Sequence, residues 1–188
     1  MTSPSIRTRG VILEAARIEF ATHGLAGGRV DRIAKAAGAN VQRIYAYYTD
    51  KQGLFDAVVL DAAQSLATAI GSEQSDIESF ARTTFEYVVS NPANTRTMTW
   101  ARLERESEFF SMMDTGLIGP TPISMVAQLQ DAGLVTTDWD AAMILEAIIA
   151  LCERWHSSTP VGGRGDIASH RELVLAFART LATAPATS

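Results

Sequence analysis

The spacing of small and apolar residues between positions 30 and 48 limits the possible fold more than any other feature of this sequence. Ala34, Gly38 and Ile44 stand at relative positions 0, +4 and +10. A small residue at Ala34 lets two helices approach closely, and Gly38 can adopt the positive φ that a tight turn requires. Ile44 can then pack the second helix on the core, and Asn40 can cap that helix. This spacing predicts a helix-turn-helix.

The second helix of this motif carries side chains that suit contacts with DNA. Arginine can pair with guanine and glutamine with adenine in the major groove, while tyrosine hydroxyls can reach phosphates. A lysine in the first turn of the next helix would add an ammonium group to free amides and the positive end of the helix dipole. The candidates are Val41, Gln42, Arg43, Tyr45, Tyr47 and Lys51. The alternative is a helical corner that happens to carry surface tyrosines.

The charge of the chain is unevenly distributed. The net charge is −5, yet residues 1–55 hold eight of the 16 Lys and Arg residues and four of the 21 acidic residues. The first 55 residues are therefore basic by about +4 and the remainder is acidic by about −9. A basic segment on an acidic body indicates a polyanionic partner for the first segment alone. Random scatter of charge is the alternative.

The rest of the sequence reads as helices, because sustained period-two alternation is missing and the punctuation is that of helix ends. We predict an all-α chain of about nine helices. The predicted helix boundaries and caps are Thr8–His23 ending at Gly24, Val30–Ala37, Val41–Tyr48, a Thr49 capping box before a helix to Ile70, a Ser75 capping box before a helix to Ser90, starts at Asn91-Pro92 and Thr121-Pro122, a Thr137 cap before a helix to Ser157, and a Ser169 capping box before a helix to Ala182.

The first third of the chain resembles the TetR-type family of bacterial transcriptional regulators. The resemblance rests on "ILEAARIEFATHG" followed by "VDRIAKAAGANVQRIYAYYTDKQGLFDAVV". It implies a DNA-binding head with a helix-turn-helix at 1–54, and a larger helical body for ligand binding and dimerisation at 55–188. It also implies DNA contacts from the second helix of the motif and from Lys51. Arg29, which replaces a usual threonine, is a further candidate phosphate contact, and Asn40 stands at the capping position; both are included among the candidate DNA-binding residues.

Two C-terminal segments are apolar on nearly every side. Between Ala141 and Cys152 only Glu146 is charged, and the segment from Leu173 to Leu181 has the same character. Such helices need burial on two faces, which a second copy of the chain could supply through a twofold interface. The predicted interface residues are Ile148, Leu151, Trp155, Val174, Phe177 and Leu181. A single thick core is the alternative, and the resemblance also implies a four-helix dimer interface.

The middle of the chain is rich in methionine and aromatic residues, which suit either an adaptable apolar pocket or an ordinary core. The candidate pocket residues are Phe85, Trp100, Leu103, Phe109, Phe110, Met113 and Met125. The effector would be apolar or weakly polar, because no cluster of cations accompanies these residues. We expect Trp100 to belong to the ligand-binding body and to report on ligand binding.

Other kinds of site lack support in the sequence. Cys152 and His156 have a metal-compatible spacing, but two ligands are too few, so we expect no metal. We also expect no cofactor and no catalytic residues. One cysteine, no signal peptide and no long uncharged apolar run favour a cytoplasmic protein without a membrane span.

The expected function is that of a ligand-responsive transcriptional regulator, usually a repressor in such a family. It would bind a near-palindromic DNA operator as a homodimer and be released by a small effector. One alternative is a helical small-molecule-binding protein or enzyme that retains the three-helix head as a relic. The other is a DNA-binding protein without a ligand.

Overall fold

The computed structural model describes residues 4–71, 75–114, 122–156 and 166–183. Within these ranges the chain is built from ten α-helices and one short 3₁₀ turn at Arg154–His156, in agreement with the expected all-α class. The helices are α1 (Pro4–Gly27), α2 (Val30–Ala37), α3 (Val41–Tyr47), α4 (Lys51–Ile70), α5 (Ile77–Ser90), α6 (Pro92–Glu104), α7 (Glu106–Asp114), α8 (Pro122–Asp131), α9 (Ala141–Glu153) and α10 (Ile167–Leu181). There is one α-helix more than expected, because the helical segment that begins at Pro92 is interrupted at Arg105, between α6 and α7.

The helices form two compact units whose membership does not follow the chain order. The first unit comprises Met1–Gln64 and Ala93–Leu117, and the second comprises Ser65–Pro92 and Ile118–Ser188. Helices α6 and α7 therefore belong with the N-terminal helices, which the expected division at residues 54 and 55 does not anticipate. That division stays a prediction about function rather than about packing.

The core of the first unit explains why α1, α2 and α3 fold together. Phe20 of α1 is buried and meets the ring of Phe55 edge-on, with 5.1 Å between ring centroids. Ile33 of α2 and Ile44 of α3 are fully buried in the same cluster. Ile12, Ala16 and Phe20 of α1 are buried at intervals of four residues, as a helix packed on one face requires. The apolar residues Val11 and Ile18 of α1 lie off this face and are exposed.

The second unit is organised around contacts of α5, α8 and α10 with α9 and of α10 with α5. Ile148 and Val174 are fully buried within the protomer, and Leu181 is also buried. These side chains face the protomer's own core, so the outer faces of the same helices are better placed than they are for contact with a second copy. Periodicity identified helices with two apolar faces but did not identify which face pointed inward.

Four of these helices begin at aspartate caps rather than at the predicted serine and threonine caps. The carboxylates of Asp50, Asp76, Asp140 and Asp166 each accept a hydrogen bond from the amide three residues later, at 2.7–2.9 Å. In each case a nearby aspartate caps the helix in place of the predicted residue, which was Thr49, Ser75, Thr137 or Ser169. A predicted start at Thr121-Pro122 is matched at Pro122, and Thr121 lies outside the described residues.

Among the described residues, one helix, α4, is long and apolar enough to cross a membrane by length and composition alone. Its apolar side chains, including Leu54, Phe55 and Val58, are buried in the protein's own core. A core helix meets the same criterion, so the apolar character of α4 implies no membrane span.

Candidate nucleic-acid interface

The helix-turn-helix is formed by α2, a turn at Gly38 and α3. Gly38 adopts the left-handed conformation (φ 61°, ψ 30°), in which its amide and that of Ala39 donate to carbonyls in the last turn of α2. The Asn40 Oδ1 atom accepts from the Arg43 amide at 2.7 Å and caps α3. The close approach at Ala34, the turn at Gly38 and the burial of Ile44 are as the spacing predicted.

The exposed side of α3 carries the residues that were expected to read DNA bases. Gln42 and Arg43 are exposed, and Tyr45 is 44% exposed. Val41 and Tyr47 are half-buried and pack against the core of the first unit. Arg43 and Gln42 thus have the accessibility that base contacts need, whereas Val41 and Tyr47 are partly committed to packing.

Lys51 has a structural partner that the sequence did not indicate. Its Nζ atom donates to the carbonyl oxygen of Gly28 at 3.2 Å and to that of Ala26 at 3.4 Å. Lys51 thereby holds the corner between α1 and α2, which competes with the phosphate contact proposed for it. Helix α4 itself is capped by Asp50, whose carboxylate accepts a hydrogen bond from the Gly53 amide. One of the amides that were expected to bind a phosphate therefore already has a partner.

Carboxylates within the first unit neutralise part of its basic surface. Arg32 pairs with Glu19, and the Arg29 amide donates to the same carboxylate at 2.9 Å. Burial raises the pKa of Glu19, but the hydrogen bonds from Arg32 and Arg29 outweigh it and leave the pKa below its ordinary value. Arg17 likewise pairs with Glu14 and Asp61. Arg32 and Arg17 therefore serve the fold, and a count of charges overestimates the cations that can reach DNA.

Three basic side chains of the first unit remain exposed near the motif. Arg29 stands at the start of α2 without capping it through its side chain, and Lys35 and Arg43 are also exposed. Arg9 of α1 was missed by the sequence reasoning. Its guanidinium lies 5.4 Å from the centre of the Tyr48 ring, which brings a cation from α1 beside the end of α3. The basic "RTR" near the N-terminus was the signal available in the sequence.

The residues proposed to line an effector pocket are divided between the two units. Phe85 and Met125 belong to the second unit, and the other five belong to the first. Leu103 is 74% exposed and Phe110 is 45% exposed, so neither lies in an enclosed site. Trp100 and Met113 pack against the core of the first unit. For Trp100 and Met113 this packing favours the core interpretation.

Two pockets can be compared with the predicted site. In the first unit, Phe109 lines a cavity of about 10 Å³, which has room for about one water molecule. In the second unit, Phe85 lines a groove of about 490 Å³ between α5 and α10. Trp100 lines neither of them. Only the groove has the volume of a small-molecule site.

The lone cysteine has no chemistry in this structure. Burial raises the pKa of the Cys152 thiol to about 12, which keeps it protonated and unreactive. Within the described ranges there is no group of three or more His, Cys, Asp and Glu side chains placed to hold a metal ion. The His156 side chain, the other half of the possible metal pair, lies outside the described residues.

Models of known protein families match both the helix-turn-helix and the helical body that follows it. A family model described as bacterial regulatory proteins of the tetR family matches residues 12–58. A second model, described as the C-terminal domain of tetracyclin repressor-like proteins, matches residues 76–180. This chain belongs to the TetR family. It is accordingly a regulator rather than an enzyme.

The relatives of this TetR-family chain agree in fold and in class. The HTH-type transcriptional repressor SCO4008 of Streptomyces coelicolor is 41% identical over 97 residues, which cover 52% of this chain and 50% of that repressor. The match thus spans about half the length of that curated relative. The transcriptional regulator SCO4942 of the same organism has a solved structure with a TM-score of 0.72, at 26% identity over 95% of this chain and 99% of that one. A TetR family regulator from Marinobacter aquaeolei VT8 has a TM-score of 0.67 at 23% identity, over 94% and 96% of the two chains, and shares the fold.

Proposed function

We propose that this TetR-family chain is a dimeric transcriptional repressor that binds a near-palindromic DNA operator and is released by a small molecule. The observation that carries the DNA-binding part is the exposure of Gln42 and Arg43 beside the buried Ile44. A recognition helix needs this combination, with one side fixed to the core and the other open to base edges. A relative named as a repressor supports the direction of regulation.

The dimer part of the proposal rests on the outer faces of α9 and α10. Leu173 is 54% exposed and Met143 is 52% exposed, although both lie on helices whose other side is buried. Leu173, Ala176, Phe177 and Thr180 follow one another at intervals of three, one and three residues, so they share one face of α10. An exposed apolar face of this kind is suited to a twofold contact. This face replaces Ile148, Val174 and Leu181 in the proposed interface.

The effector part of the proposal is supported by the groove between α5 and α10. Phe85 and Val89 supply apolar lining, and Arg171 pairs with Glu86 at 3.1 Å along the same groove. The described lining is therefore largely apolar with an ion pair along it, which suits an apolar or weakly polar ligand. Such a ligand matches the class expected from the sequence.

Selection of bound duplexes from a random-sequence pool tests DNA binding. We expect a symmetric consensus, and Arg43→Ala should weaken binding to it by about 1–3 kcal/mol and relax the preference at one position in each half-site. Arg96→Ala, at an exposed arginine on α6, is the matched control and should bind as the native protein does. Failure of the native protein to enrich any duplex would contradict the proposal.

Sedimentation of Leu173→Asp tests the dimer. A carboxylate at the centre of an apolar contact would be desolvated without a partner, so the variant should sediment as a monomer where the native protein is a dimer. Leu103→Asp is the control, because Leu103 is also exposed but lies in the other unit. A native protein that sediments as a monomer at micromolar concentration would exclude this interface and the symmetric operator.

A screen of apolar and weakly polar compounds against the protein–duplex complex tests the effector site. Ser90→Trp should obstruct the groove, because Ser90 lines it and is exposed. The variant should keep its operator affinity and lose release by the compound. Ser107→Trp, at an exposed position of α7, is the control. Normal release of Ser90→Trp would place the ligand elsewhere.

A further inference from the structure

The corner between α1 and α2 is held by a helix that lies far from it in the sequence. Helix α1 is interrupted at Gly24, whose backbone adopts φ 65° and ψ −175°. In an uninterrupted helix the amide of Leu25 would donate to the carbonyl of Ala21. At this break the Leu25 amide donates to the Glu104 carboxylate at 2.6 Å, and the Ala21 carbonyl accepts from the Trp100 indole at 3.3 Å.

Trp100 and Glu104 are four residues apart on α6 and therefore lie on the same face of that helix. Each satisfies one of the two peptide groups that a helix would pair across the break. The Glu104 carboxylate also accepts from the Ala26 amide at 3.3 Å. It thus acts as an N-cap for the turn that follows Gly24, although 79 residues separate it from Leu25.

The contact is close enough to require glycine at the break. A Cβ atom on Gly24 would lie 2.8 Å from Glu104 Oε1 and 2.9 Å from two ring carbons of Trp100. A residue with a Cβ atom at this position would overlap the two side chains, so only glycine allows them to pack this closely on the backbone. The last turn of α6 is therefore packed directly on the corner.

The remaining peptide groups of the corner connect it to the helix-turn-helix and to α4. Lys51 of α4 donates to the carbonyls of Ala26 and Gly28, and Arg32 of α2 donates to that of Gly27 at 3.0 Å. Helix α2 begins at Val30, so little chain separates it from the corner. A displacement of α6 would move these peptide groups, and through them α2 and α3.

We propose that Trp100 and Glu104 are positioning residues that set the orientation of the recognition helix through the corner formed by residues 24–28. This inference rests on the proposed DNA-binding function. It assigns Trp100 to operator affinity, whereas the sequence places Trp100 in the ligand-binding body as a reporter of ligand binding. It also gives α6 a direct connection to the DNA-binding surface within the first unit.

The test compares operator binding with binding to a random duplex. Loss of a hydrogen-bonded carboxylate should increase amide exchange of Leu25 and Ala26 by about tenfold or more in Glu104→Ala. The same variant should weaken binding to the duplex selected by the native protein by about tenfold, and change binding to a random duplex less than twofold. A reoriented recognition helix loses base contacts while nonspecific phosphate attraction persists.

Two milder variants keep the test decisive if Glu104→Ala folds poorly. Glu104→Gln keeps an acceptor oxygen and should retain most of the operator preference. Trp100→Phe keeps much of the packing but removes the indole donor, and should lower the ratio of operator to random binding. Glu106→Gln, on the exposed side of α7, should leave both affinities and the exchange of Leu25 unchanged. A purely stabilising role for Glu104 would change the folded fraction and leave the ratio for folded protein unaltered.

The two levels of failure can be separated. A native protein that selects no duplex would overturn the proposed function and this inference together. A native protein that selects a duplex, with Glu104→Ala and Trp100→Phe within twofold of its operator-to-random ratio, would overturn the inference alone.

Discussion

The two glycine breaks of the DNA-binding head differ in what surrounds them. Gly24 and Gly38 have nearly the same φ, at 65° and 61°. A Cβ atom on Gly38 would meet nothing within 4 Å, whereas one on Gly24 would meet Trp100 and Glu104 below 3 Å. The turn at Gly38 is completed by its own neighbours, Ala34, Lys35 and Asn40. The turn at Gly24 is completed by a distant helix.

The ψ angles of the two glycines separate them further. Gly38 has ψ 30° and lies in the left-handed helical region, which asparagine also visits. Gly24 has ψ −175° and lies in a region that is essentially restricted to glycine. The first break is therefore a local property of the chain, and the second depends on the tertiary structure around it.

The largest effect is expected for Gly24→Ala. Backbone strain and the overlap with α6 should together destabilise the protein by about 2–5 kcal/mol. The measurement is urea unfolding, with Gly24→Asn as a second variant that should be no better tolerated. In a Trp100→Ala background the penalty should shrink, because part of the overlap disappears. An additive double mutant would show that α6 does not crowd this glycine.

Gly38→Ala should cost less, about 1–2 kcal/mol, because only the left-handed backbone is strained and the site is open. Gly38→Asn should recover most of that loss. Neither substitution should couple to Trp100→Ala, since a Cβ atom at Gly38 would meet no atom within 4 Å. Coupling above about 0.5 kcal/mol at Gly38 would remove the distinction between the two breaks.

The sequence revealed the local break and missed the meaning of the distant one. Ala34, Gly38, Asn40 and Ile44 lie within eleven positions, so spacing alone specified their roles. Gly24 was predicted to end a helix and is the point at which α1 is interrupted, but no pattern near it indicates partners at positions 100 and 104. The same limit explains why Trp100 was assigned to a pocket. Periodicity shows that a side chain is apolar and leaves its neighbours undetermined.

The helix caps show a second limit of sequence reading. Helices were correctly predicted to begin near these positions. However, Asp76 rather than Ser75 caps α5, and Asp166 rather than Ser169 caps α10. A capping-box pattern selects a serine or threonine that is followed three residues later by glutamate or glutamine. An aspartate in a neighbouring position can accept from the same kind of amide with a full negative charge at the positive end of the helix. Competition between adjacent caps is decided by backbone geometry, which the pattern does not contain.

Asn40→Ala tests the local cap of the recognition helix and should cost about 1 kcal/mol of unfolding free energy. The expected reason is that the Arg43 amide loses its acceptor at the turn. Asn40→Asp should restore the cap and serves as the control. If Asn40→Ala proves as damaging as Gly24→Ala, the recognition helix depends on its local cap more than this comparison allows.

The smallest effect is expected for Asp76→Asn, and it should be visible mainly as a change in pH dependence. The backbone amide of Ser79 is the main cause that lowers the pKa of Asp76 below its ordinary value. A carboxyl group whose pKa is lowered by folding stabilises the protein above the unfolded pKa of about 3.9, and this contribution is lost as the pH falls through the folded value.

Asparagine caps as well as aspartate, so the variant should differ by less than about 0.5 kcal/mol at pH 7. Its unfolding free energy should then fall less steeply than that of the native protein below about pH 4. Ser75→Ala should weaken the acid dependence only in part, because the Ser75 hydroxyl also donates to Asp76 at 2.9 Å and lowers its pKa, whereas the Ser79 amide remains in place. Equal acid sensitivity of Asp76→Asn and the native protein would show that this charged cap contributes no more than the neutral cap at Asn40.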